Sequence, residues 1–159
     1  MKEYKWARRF KEKYVVFLVC RKNVKTRIKK QSEGYILFGE KKYREGITVL
    51  KGILSSGPRD FFRKSVLILK MNYEIYKEEL SLEAQDEIDL FRGLTNRYFG
   101  KKKIEVTTYE KHMNFLHLIE LLVDTPPSAT RKTFLLEKLE SLKTNIAEYS
   151  WLKEKINEL

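Results

Sequence analysis

Apolar residues recur every three to four positions along most of this chain, the period of helices with one buried face. The longest seam is Phe62, Val66, Leu69, Tyr73, Tyr76 and Leu80, which steps by 4, 3, 4, 3 and 4. It follows Pro58, whose fixed φ and missing N–H suit a first helical position. Just before it, Tyr43, Ile47, Leu50 and Leu54 share one face. They predict a helix from Tyr43 to about Ser56, stopped by Gly57 and Pro58. A helix from about Val24 to Gly39 precedes that one, with Asn23 as its N-cap. The first helix is predicted from Glu3 to about Val19. It would bury Ala7, Phe10, Tyr14 and Phe17 and turn Lys2, Lys5, Arg9 and Lys13 to water.

The second half of the chain continues in the same idiom. Ser81 reads as an N-cap, and Ala84, Ile88, Phe91, Leu94 and Tyr98 form the next stripe, ended by Gly100. Thr107 and Glu110 have the spacing of a capping box. The helix they would open is apolar on nearly every side, with Met113, Phe115, Leu116, Leu118, Ile119, Leu121, Leu122 and Val123. Such a helix belongs between neighbours, at the centre of its half. After the break at Asp124–Ser128, helices are expected from Ser128 to about Thr144 and from Tyr149 to Leu159. The prediction is an all-α fold of seven to eight antiparallel helices, an α-solenoid or an irregular helical bundle. One domain, 1–159, is expected, with basic helices over 1–60 and the C-terminal helices and cap over 61–159.

Gly34 and Gly46 interrupt successive helices at a cost of about 1 kcal/mol each relative to alanine. Two such glycines, 12 residues apart, suggest backbones packed closely at a crossing. With Tyr43, Leu50 and Pro58 they resemble one tetratricopeptide repeat, a helix pair of pattern W-x2-L-G-x2-Y, A-x3-F and P. Gly34 stands at the small residue of the first helix and Gly46 at that of the second. The sequence departs from the pattern at Lys30, Glu33, Leu37 and Ile53. Farther on, ILKMNYEIYKEE, DLFRGLTNRYFGKKK, EKHMNFLHLIELL and EYSWLKEKINEL are similar to the C-terminal part of longer bacterial helical-repeat proteins, mostly uncharacterised. That resemblance implies a portion of a longer solenoid. The tetratricopeptide resemblance implies a concave binding side formed by the first helix of each pair. On this chain it points to Lys25, Lys29 and Tyr35 as partner-binding residues.

Charge narrows the function. Residues 1–64 hold 19 Lys and Arg against 6 Asp and Glu, whereas residues 65–159 hold 14 against 16. Such a split points to an acidic protein or peptide partner for the N-terminal part, or to nucleic acid. Tyr4, Trp6, Phe10 and Tyr14 interleave with the basic residues there. Phe10 and Tyr14 fall on the same stripe as Ala7 and Phe17, which marks them as core rather than as base-stacking platforms. The longest apolar run, the six residues Val15–Cys20, is far short of the roughly 20 that cross a membrane. No membrane partner is expected. A lone Cys20 and no visible signal peptide fit a reducing, cytoplasmic setting. His112 and His117, five apart, miss the i, i+4 spacing of a zinc pair. No phosphate loop, nucleophile elbow or Cys/His arrangement is visible. The expectation is a non-catalytic interaction scaffold without cofactor, metal or catalytic residues.

Overall fold

In a computed structural model, residues 2–14, 22–79, 83–124 and 129–159 are described. They form eight helices and no strand: α1 (Lys2–Tyr14), α2 (Lys22–Gly39), α3 (Tyr43–Lys51), α4 (Pro58–Glu79), α5 (Glu83–Gly100), α6 (Val106–Asp124), α7 (Ala129–Ser141) and α8 (Tyr149–Asn157). The fold is all-α. Packing divides it into two compact units, Met1–Ala84 and Gln85–Leu159. The outer part of the first expected helix, with Phe17, lies outside the described residues, as do Leu80, Ser81 and Ser128.

In the first unit α2, α3 and α4 pack on one another, and the two helical glycines explain how closely. A Cβ on Gly34 would lie 2.6 Å from Leu50 Cδ2, and one on Gly46 would meet Met71 and sit 3.4 Å from Leu37 Cβ. Leu50 and Met71 are wholly buried, joined by Ile53, Leu67 and Ile68 in one cluster. The α4 seam behaves as its spacing predicts, with Phe62, Val66, Leu69 and Tyr73 all buried.

α2 begins at Lys22, so Asn23 lies inside the helix and is not its N-cap. Two further expectations for this unit fail. α3 ends at Lys51, not near Ser56. Gly52 N–H still reaches Thr48 O, and Ile53 N–H bonds to Leu50 O, a tighter final turn. Leu54 therefore leaves the helical period and is 92% exposed, while Ile53 turns inward. The second failure is on α1, whose expected stripe faces outward: Phe10 is 48% and Tyr14 47% exposed. The face of α1 toward α2 is instead polar. Arg8 donates to both carboxylates, Glu33 at 2.6 Å and Glu40 at 2.7 Å, and buried Lys11 donates to Glu33. Tyr4 lies over Gly39 at the end of α2. Charge pairing, which hydrophobic periodicity does not see, sets the orientation of α1.

The second unit is built on α6. Phe115, Leu116, Leu118, Ile119 and Leu122 are buried, as are Ile88 and Phe91 of α5, Leu135 and Leu139 of α7, and Trp151, Leu152 and Ile156 of α8. The expected capping box does not form. α6 starts at Val106, one residue before Thr107, and the Glu110 carboxylate accepts from Asn145 Nδ2 at 2.9 Å. Asn114 Nδ2 donates to Asn145 O at 2.7 Å, so both bonds hold the segment between α7 and α8 against α6. α7 stops at Ser141, and Phe134 on it is 52% exposed.

Candidate functional site

The division into units sharpens the charge asymmetry. Residues 85–159 hold 12 Lys and Arg against 12 Asp and Glu, so the whole net charge of +11 belongs to Met1–Ala84. Within that unit, a groove of about 590 Å³ runs beside α2, lined by Val24, Arg27, Ile28 and Tyr35 and, at the start of α4, by Arg59 and Arg63.

Its positions follow from the helical period. Residues 24, 28, 31 and 35 fall on one face of α2. Arg59 and Arg63 stand one turn apart on α4, directly after Pro58 has fixed where that helix begins. Tyr35 is 52% exposed and Ile28 36%, so the floor is apolar and open.

Asp60 supplies the groove's acidic lining. Arg27 Nη1 lies 2.9 Å from Asp60 Oδ2 and 2.7 Å from Ser56 Oγ. The Ser56 hydroxyl, donating to Asp60, is the main reason that carboxyl titrates below its ordinary range. Burial opposes the shift, while the Ser56 N–H, Arg27 and Arg63 reinforce it. Asp60 is thus held as an anion and tethers Arg27. With three guanidiniums and one carboxylate in its lining, the groove is net cationic. On the other side of Arg27 a second depression, of about 640 Å³, is formed by Asn23, Thr26, Lys30, Gly52, Ile53 and Leu54. Lys30 Nζ donates to Gly52 O at 2.9 Å, anchoring the loop that carries the exposed Leu54.

Of the residues singled out in the sequence, Tyr35 lines the groove, and Lys25 and Lys29 do not. Lys29 is exposed on α2 and Lys25 half-buried. Sequence reasoning missed Ile28, Arg59 and Arg63. The signal was there: Arg59 and Arg63 are an i, i+4 pair in the first turns after a helix-starting proline.

The second unit offers less. His112 Nδ1 faces Thr108 O at 2.8 Å, and burial, the largest effect, lowers its pKa. His117 Nε2 faces Lys138 Nζ at 2.7 Å, and burial followed by that cation lowers it as well. Among the described residues no three His, Cys, Asp or Glu side chains gather as metal ligands. No described helix is long and apolar enough to cross a membrane. Comparison with family models, characterised proteins and solved structures yields no match for this chain.

Proposed function

We propose that the protein is a non-catalytic adaptor that holds an acidic, partly apolar segment of another protein in the groove beside α2. The observation behind this reading is the convergence of Arg27, Arg59 and Arg63 around an open floor of Val24, Ile28 and Tyr35. Guanidiniums bind carboxylates in a planar, two-pronged geometry. Aromatic and aliphatic side chains next to them give such a segment something to anchor on. Lys25 and Lys29, off the groove, contribute to its field and hence to the rate of encounter.

The test is anisotropy of a labelled peptide in which Glu and Asp alternate with Leu and Phe. It should saturate at one per chain and resist competitor DNA. Arg59→Glu with Arg63→Glu should weaken it by about 1 kcal/mol or more per lost contact. Equal binding by the reversed protein would overturn the assignment. A second reading, nucleic acid held by phosphate contacts, is favoured by the gathering of all net charge in one unit. It predicts affinity that rises with strand length and falls steeply with salt.

A further inference from the structure

Trp6, Phe10 and Tyr14 form a continuous ladder on the outer face of α1. Trp6 is 66% exposed and the other two nearly half. The Trp6 and Phe10 ring centroids are 5.1 Å apart and those of Phe10 and Tyr14 4.5 Å. Exposed Arg9 and Lys13 run along one edge, and Lys13 Nζ sits 5.4 Å from the Tyr14 ring centre. α1 is therefore inverted, its ion pairs inward and its aromatic rings outward. Contiguous exposed apolar surface of this kind marks an interaction site.

From this ladder we infer a second docking surface, separate from the groove, that takes an amphipathic α-helix with acidic flanks from a protein partner. The inference rests on the adaptor reading and adds where a folded part of the partner would bind.

Three observations select that occupant. Residues at i, i+4 and i+8 are the ridge by which one helix packs into the groove of another. Arg9 and Lys13 call for acidic residues opposite. A second copy of this chain would bring its own cationic edge against them. Trp6 stacks on Phe10 and Phe10 meets Tyr14 at a tilt, so much of the ring area between them is already covered. That is poor for base stacking, which needs free faces, and adequate for aliphatic side chains. The surface is independent of the groove because α1 attaches through Glu33 and the groove is lined by Tyr35. Two positions are about 200° around a helix, and although Tyr4 reaches over Gly39 at the end of α2, no residue of α1 lines the groove.

Trp6 supplies the readout, since the other tryptophan, Trp151, is buried. The probe is a helical peptide with Leu on one face and Glu on both flanks, added to the full chain. The expected result is a blue shift of tryptophan emission that saturates at one peptide per chain. The shift should vanish in Trp6→Phe while binding, read by peptide anisotropy, persists. Phe10→Ser should lower the affinity at least tenfold with helix content unchanged by circular dichroism. Arg59→Glu with Arg63→Glu should leave this binding within about twofold, so failure of the groove reading is told apart from failure here. A Lys-flanked version of the peptide should not bind. A shift given by phosphatidylserine vesicles or by oligothymidine but not by the acidic helix would overturn the proposal. So would concentration-dependent self-association through α1, or no shift with any probe.

Discussion

α2 forms two seams in the first unit, and they are built on opposite principles. Toward α3 the seam is dry and close: Gly34 removes a side chain so that Leu50 can come within 2.6 Å of where its Cβ would be. Toward α1 the seam is ionic: Arg8 and Lys11 meet Glu33 and Glu40. The first holds its geometry through shape, since a packed interior resists a change of even one methylene. The second holds it through charge, which leaves the apolar face of α1 outward and makes the attachment sensitive to pH. A rigid frame and a charge-held helix are thus joined along one α-helix. The difference is of use to an interaction protein, because the groove lies on the rigid side and the aromatic ladder on the charge-held one.

The largest effect should come from the dry seam. Leu50→Ala removes a wholly buried side chain at the centre of the α2, α3 and α4 cluster and should cost about 3 kcal/mol in urea unfolding. Gly34→Ala should cost about 1–2 kcal/mol, as overpacking against Leu50 exceeds the gain in helix propensity. The double variant tests the shape argument directly. Truncating Leu50 leaves room for the methyl added at position 34, so the two losses should combine to less than their total, by about 1 kcal/mol. Strict additivity would mean that the two residues do not press on each other.

The ionic seam should give a smaller effect with a pH signature. Burial by itself would raise the Glu33 carboxyl, but hydrogen bonds from Lys11 and Arg8 outweigh it and hold it below the ordinary range. Glu40 is also lowered, chiefly by its hydrogen bond from Arg8. A carboxylate depressed in the folded state stabilises fully above its unfolded pKa and loses that contribution as pH falls through the folded value. Protection of α1 amides from hydrogen exchange should therefore fade below about pH 4.5, the usual glutamate value, before protection of α3 does. Glu33→Gln should cost about 1–2 kcal/mol at pH 7, because it leaves the nearly buried Lys11 ammonium short of its partner. Identical pH profiles for α1 and α3 would erase the distinction between the seams.

The dry seam was legible in the sequence and the ionic one was not, for a physical reason. Gly34, Gly46, Leu50 and the Phe62–Tyr73 stripe announce themselves through period and residue size. On α1 the same rule, apolar inward, fails, because Arg8 and the buried Lys11 pair with carboxylates 22 to 32 positions farther along the chain and so decide which face turns in. No local window contains both halves of those pairs. α3 shows a milder version: Leu54 kept the helical spacing after Gly52 had already ended the helix. Tyr35, which the tetratricopeptide resemblance points to, lines the groove. Arg59 and Arg63 join it only because α4 begins beside α2, which is a tertiary fact.

Lys29→Glu should have the smallest effect, and it separates local contact from overall field. Lys29 is exposed, lines neither depression, and belongs to α2 rather than to either seam's core. Substitution of such a surface residue changes stability by less than about 0.5 kcal/mol. Its effect on the acidic peptide should also be modest, because a charge beyond the groove acts through solvent and is screened within about 10 Å at 0.1 M salt. The expected pattern is a slower association rate at low ionic strength that disappears at about 0.5 M, with dissociation unchanged. Arg59→Glu should instead speed dissociation at every salt concentration, since it removes a group that touches the peptide. If Lys29→Glu proves as damaging as Arg59→Glu, the binding surface follows the exposed face of α2, and the groove is not where the partner sits.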